Sequence, residues 1–116
     1  MSIEDLQNIC RKHKGVTQDI KWDYHLCFNV GGKMFLITSP DEVPVSASFK
    51  ASDEEFPELS AQPGFCPAPY MARHKWVKLD DITRLSKKKW EYYIEQSYRL
   101  VLEKLPKKEQ IKISGK

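Results

Sequence analysis

Residues 25–38 read HLCFNVGGKMFLIT, and this stretch decides the fold. Leu26, Phe28 and Val30 alternate with His25, Cys27 and Asn29, so one face of a strand is apolar. Gly31-Gly32 follows at once, and two adjacent glycines supply the positive φ angles that a two-residue hairpin turn requires. Lys33 to Thr38 return as the partner strand. A tight hairpin of this kind implies an antiparallel sheet with one face packed and the other turned to water.

The flanking sequence extends the sheet on both sides. Upstream, residues 16–22 (VTQDIKW) read as a short strand. Before it, Ser2 and Asp5 form a capping-box pattern that opens a helix. Ile3, Leu6, Ile9, Cys10 and His13 share one face of that helix, and Gly15 ends it. Downstream, Pro40-Asp41-Glu42 makes a loop. VPVSASFK (residues 43–50) then places Val45, Ala47 and Phe49 on one side and Ser46, Ser48 and Lys50 on the other. Ser52 and Glu55 suggest a short helix over about residues 53–61, limited by Pro57. AQPGFCPAPYMARH (residues 61–74) suits a fixed, extended connection. KWVKL (residues 75–79) is a last strand. From Ser86 a long helix runs to about Leu105, with Trp90, Ile94, Ser97, Val101 and Leu105 on one face. Pro106 stops it, and a loose basic tail is expected from about residue 106. The expected fold is α+β: a helix, a curved antiparallel sheet of about five strands, a short helix, and a long C-terminal helix packed on the sheet.

A chain of 116 residues fits one domain over its whole length. The N-terminus carries acids early and has no long apolar run, so no signal peptide or membrane anchor is expected, and the expected compartment is the cytoplasm. Cys10, Cys27 and Cys66 are an odd number at unrelated spacings, which reads as reduced thiols. Net charge is only +3, but it is unevenly placed. Residues 1–70 hold six Lys/Arg and ten Asp/Glu; residues 71–116 hold thirteen and six. A basic C-terminal part can attract an acidic partner such as nucleic acid, or can be an ordinary solvated surface.

No constellation amounts to an active site. Cys10 and His13 are neighbours on a helix, and His25 and Cys27 share a strand face. Four such ligands would suit zinc, but the two pairs belong on opposite sides of the sheet, so no metal is expected. Cys66 with His74 lacks an orienting carboxylate and an oxyanion hole, and a buried structural cysteine is the expectation. Asp80-Asp81 reads as a turn or capping device. Gly31-Gly32-Lys33 lacks the spacing and the following helix of a phosphate loop. Trp22, Trp76 and Trp90 read as core or core edge. Tyr70, beside Arg73, His74 and Lys75, has the setting of a base-stacking tyrosine; the alternative is a packing tyrosine anchored by its hydroxyl. Lys87-Lys88-Lys89 directly after Ser86 oppose the helix macrodipole, a cost tolerated on an ordinary solvated surface and one that a bound anion would turn into attraction.

Four segments in order carry a family resemblance: Lys21-Trp22 before a strand, FNVGGKMF (28–35), PAPYMARHKWV (67–77) and QSYRLV (96–101). Together they span most of the chain, which resembles the MmcQ/YjbR-like family of bacterial proteins. The resemblance implies an α+β fold with a curved antiparallel sheet, similar to secretion chaperones and the CyaY-like group. It also implies the family's usual label, DNA binding through a double-wing arrangement of hairpins. Some members carry a His-Met-Asn-type sequence where this chain has Tyr70-Met71-Ala72-Arg73-His74, so a role tied to that variant does not carry over.

The expected function is a non-enzymatic binding protein without a cofactor. Nucleic acid is the leading partner, contacted at backbone phosphates by Arg73, His74, Lys75, Lys87, Lys88 and Lys89, with Tyr70 stacking. The two lysine-bearing clusters are expected on one side of the domain. The alternative is a protein-interaction or chaperone-like module using the bare sheet face or the Pro67–Tyr70 loop. No membrane partner is expected.

Overall fold

The computed structural model describes residues 1–22, 24–69 and 71–115. Its elements are α1 (Ile3–Arg11), β1 (Val16–Lys21), β2 (His25–Val30), β3 (Lys33–Ser39), β4 (Ser46–Lys50), α2 (Glu55–Ser60), β5 (Phe65–Pro67), β6 (Trp76–Leu79), α3 (Lys87–Glu103) and α4 (Lys107–Ser114). The six strands form one unclosed sheet in the order β1-β2-β3-β4-β6-β5, and every neighbouring pair is antiparallel. The α+β class and the long helix on the sheet stand as read from the sequence.

Two details differ. The sheet has six strands rather than about five, because Phe65–Pro67 of the proline-rich connection pairs with β6. Proline is tolerated there because β5 is an edge strand. The segment after Pro106 is a helix, not a loose tail. Pro106 ends α3 and at once starts α4, since its missing N–H is one that a helix start leaves unpaired anyway. Ile113 on α4 packs against the core, and Gly115 closes the helix at φ 73°.

Burial explains why the elements sit where they do. Leu6, Ile9 and Cys10 of α1 and Trp90, Ile94 and Val101 of α3 are buried over Phe28, Leu36, Phe49 and Val77 of the sheet. The capping box is present: Ser2 Oγ accepts from Asp5 N at 3.2 Å, and Ser2 N donates to Asp5 Oδ2 at 2.9 Å. Those bonds hold the exposed Asp5 carboxyl below its usual range. At the hairpin turn, Gly31 and Gly32 have φ of 57° and 78°. A Cβ on Gly31 would also lie 2.5 Å from Leu105 Cδ1, so the turn needs glycine for space as well as for conformation.

A bulge shapes the middle of the sheet. Phe28 pairs with Leu36 but Asn29 pairs with Met34, so Phe35 has no partner across the β2–β3 ladder. Both Phe35 and Leu36 are fully buried. The carbonyl of Phe35 is taken instead by Ser97 of α3, whose Oγ donates to it at 2.6 Å and accepts from Lys50 N at 3.0 Å. Its neighbours act alike. Gln96 Nε2 donates to Glu55 Oε1 at 2.6 Å, and the Tyr98 hydroxyl donates to the carbonyl of Lys14. Gln96-Ser97-Tyr98 therefore ties α3 to α2, to the sheet, and to the turn between α1 and β1, three different places from three consecutive residues.

Candidate binding surfaces

The helices cover one face of the sheet and leave the other bare. Register fixes what the bare face carries. One row crosses all six strands: Asp19, Cys27, Ile37, Ser48, Lys78 and Cys66. Next to it lie His25, Ser39 and Ser46, with Ser39 opposite Ser46. Of these, Ile37, Ser39, Ser46, Ser48 and Lys78 floor a cleft of about 660 Å³. Trp22, Tyr24 and His25 form one rim, Ala68, Pro69 and Met71 the other. His25 is held in place: its Nδ1 lies 2.9 Å from Ser39 Oγ, and its ring lies against Tyr24 at 4.2 Å and Trp22 at 5.7 Å between centroids.

Trp22 departs from the core or core-edge position expected of it. Trp76 and Trp90 are buried, but Trp22 is 60% exposed and has φ of 53°. A left-handed backbone at a bulky residue costs roughly 1–2 kcal/mol.

The basic residues fall into two groups. Arg73 and His74 lie exposed in a 3₁₀ turn (Ala72–His74), and Lys75 caps it in the left-handed region at φ 66°. Lys50 Nζ donates to the His74 carbonyl at 2.6 Å. Lys33, Lys50, His74 and Lys104 line one hollow of about 260 Å³, over Trp76 and Leu105. The Lys50 ammonium is shifted below its usual range, first by partial burial and then by Lys104 and Lys75. Lys75 Nζ also stands 5.3 Å from the centre of the Phe56 ring, a cation–π distance. Among the described residues none of Lys33, Lys50, Arg73, Lys75 and Lys104 makes an ion pair within 4 Å.

Lys87, Lys88 and Lys89 are exposed at the opposite end of α3. Sixteen residues separate Lys88 from Lys104, about 24 Å along a helix. The expectation that both clusters share one side is therefore corrected. β6 runs antiparallel to β4, so the connection after it leads away from Arg73-His74-Lys75 before α3 begins. Near its start Ser86 Oγ accepts from Lys89 N at 3.2 Å. Tyr70, expected to stack on bases, lies outside the described residues.

The remaining candidates have structural roles. Asp81 accepts from Thr83 N at 2.9 Å and opens a 3₁₀ turn, and Asp80 pairs with Arg84 at 2.6 Å. Cys10 lies in the core and Cys27 is buried on the other face of the sheet. No three His, Cys, Asp or Glu side chains among the described residues are grouped as a metal site needs. Cys66 is exposed, not buried as expected, because edge strand β5 turns it to the bare face. Burial pushes the Cys10 thiol up, and burial followed by Asp19 pushes Cys27 up to about 11. Hence one thiol per chain, Cys66, should react with a disulfide reagent at neutral pH, and the other two only on unfolding. Counting released thiolate before and after denaturant checks this, and rapid reaction of all three in the native state would contradict the burial.

No described helix is long and apolar enough to cross a membrane. The domain is thus an antiparallel α+β unit with helices on one sheet face, a cleft on the other, and lysines gathered at one end of the main helix. The chain belongs to the YjbR family, whose model matches residues 11–100. No curated protein matches it. Its fold is similar to that of a Deinococcus radiodurans protein with a DUF419 domain, at TM-score 0.87 and 23% identity over 97% of this chain and 88% of that one. A Pseudomonas syringae protein is similar at TM-score 0.71 and 20% identity, over 87% of this chain and 99% of that one. At these identities the likeness is one of fold.

Proposed function

We propose that the protein is a non-enzymatic binding protein whose partner is nucleic acid, held through its backbone phosphates. One observation supports this above the others. Lys33, Lys50, Lys75 and Lys104 come from different elements and converge with no carboxylate paired to any of them among the described residues. Lys50 holds its proton less tightly than usual, first because it is partly buried and then because Lys104 and Lys75 repel it, with Asp53 offsetting part of the repulsion. The negative end of α3 offsets part of the repulsion, and a phosphate would offset the rest. Arg73 and His74 extend the patch. Contacts of this kind carry no base information, so binding should be sequence-tolerant and salt-sensitive.

Changing Lys33, Lys50 and Lys104 together to alanine should lower affinity for a labelled oligonucleotide by about tenfold or more at low salt. Changing Lys87, Lys88 and Lys89 should lower it less, because they lie at the far end of α3. Fluorescence anisotropy reads both, with thermal melts to show that the variants fold. Equal affinity for the first variant and the parent protein would remove the lysine cluster from the account.

The alternative, a protein-interaction module, has its own observation. Ile20, Trp22 and Tyr24 are 67%, 60% and 51% exposed beside the edge strand β1. A partner that stays bound through high salt would favour that reading.

A further inference from the structure

We propose that the cleft on the bare sheet face binds one nucleotide, with its ring between Trp22 and Met71 and its phosphate on Lys78. The volume, about 660 Å³, falls within the range of small-ligand sites. Its two rims differ from its floor as such a ligand requires. Trp22 and Tyr24 offer aromatic faces on one side, and the Met71 thioether and Pro69 offer soft apolar contact on the other. Between them the floor carries three hydroxyls beside Ile37 and Ala47. Ser48 can donate or accept; Ser46, which donates to Glu42, and Ser39, which is held by His25, keep lone pairs that can accept from the amino edge of a base.

The anion end follows from charge. Lys78 stands half-buried in the middle row of the sheet, between Ser48 and Cys66, and makes no ion pair within 4 Å among the described residues. Glu42 and Asp80 share a neighbouring hollow with Lys78 and Ser46. Both are engaged: Glu42 accepts from the Ser46 hydroxyl, and Asp80 is held by Arg84. Neither carboxylate comes within 4 Å of the Lys78 ammonium, so its donors can reach a ligand, although Glu42 keeps its charge nearby. Trp22 adds an independent sign, because its ring stands exposed over the cleft on a left-handed backbone that burial does not reward. A peptide would be served by deeper apolar pockets than this hydroxyl floor with one cation provides.

The site shares only Met71 with the lysine hollow, so the two can fail separately. The test is a titration of the full chain, followed by amide chemical shifts, with adenosine, adenosine monophosphate and a short oligodeoxyadenylate. Saturable shifts at Ser39, Ser46 and Ser48 are expected with the monophosphate at millimolar concentration. Adenosine should bind about tenfold more weakly, for want of the contact to Lys78. Lys78→Met should erase that difference, and Trp22→Gly, which accepts the positive φ, should weaken both ligands. Tighter binding of the oligonucleotide would place the nucleotide in a strand; equal or tighter binding of the monophosphate would make it a free ligand. No shift at the three serines with any probe would overturn the proposal, as would parent-like binding by both variants. Shifts confined to Lys33, Lys50 and Lys104 would overturn it too, while leaving the phosphate-binding patch in place.

Discussion

Trp90→Ala should lower the stability of the domain by roughly 3–5 kcal/mol, the range for emptying a fully buried tryptophan site. Three separate losses contribute. The ring is wholly buried in the main core cluster, at the point where α3 meets the sheet. It stands edge-on to Phe49 with centroids 5.7 Å apart. Its Nε1–H donates to the carbonyl of Ile82 at 2.8 Å, and alanine would leave that buried acceptor unpaired. Trp90→Phe should recover much of the packing but not the hydrogen bond, so its stability should fall between the two. Denaturant unfolding of all three proteins checks the order, and a Trp90→Ala curve that overlays the parent would contradict the packing described.

Ser97→Ala should cost roughly 2–4 kcal/mol, far more than the loss of one oxygen atom usually does. The hydroxyl is fully buried and serves two backbone groups at once, the Phe35 carbonyl and the Lys50 N–H. Neither has a partner across β3 and β4 to return to, because that ladder stops at Leu36 and Phe49 and the hydroxyl sits between the next two residues; Phe35 is also out of register with β2. Ser97→Thr keeps the hydroxyl and tests whether the loss is polar or steric. Equilibrium unfolding that shows less than about 1 kcal/mol for the alanine variant would mean the bulge finds another partner.

The contrast between these residues shows what the sequence makes legible. Trp90 lies on a helical stripe, and its burial follows from periodicity alone. Ser97 lies on the same stripe, but nothing local says that it bridges a bulge in a strand sixty residues away. The hairpin at Gly31-Gly32 is readable because positive φ selects glycine. The strand at Phe65–Pro67 is not, because its pairing comes from β6 and opposes its own proline content. Helix α4 was hidden for a similar reason: Pro106 reads as a stop, and only the packing of Ile113 beside Gly15 and Gly31 shows it to be also a start.

The candidate sites follow the same rule. Arg73, His74 and Lys75 are visible as a run of charge. Lys33, Lys50 and Lys104 are scattered singly along the chain, and only the fold brings them to the same hollow. Lys87-Lys88-Lys89 has the strongest sequence signal of all and joins none of them. The cleft was foreshadowed only as the bare face of a sheet. Its serines look like the solvent side of an ordinary strand until register lines up Ser48 with Lys78 and Ser39 with Ser46.

Binding through phosphates carries a quantitative signature that other modes of association lack. Each lysine that neutralises a phosphate releases condensed counterions, so affinity falls as a power of salt concentration. The direct test is the affinity of the parent protein for an oligonucleotide, measured by anisotropy at several salt concentrations below physiological. With Lys33, Lys50, Lys75 and Lys104 engaged, a plot of log affinity against log salt should be linear with a slope of roughly −3. A slope near zero, or no binding at the lowest salt, would contradict the nucleic-acid reading and leave the interaction module in its place.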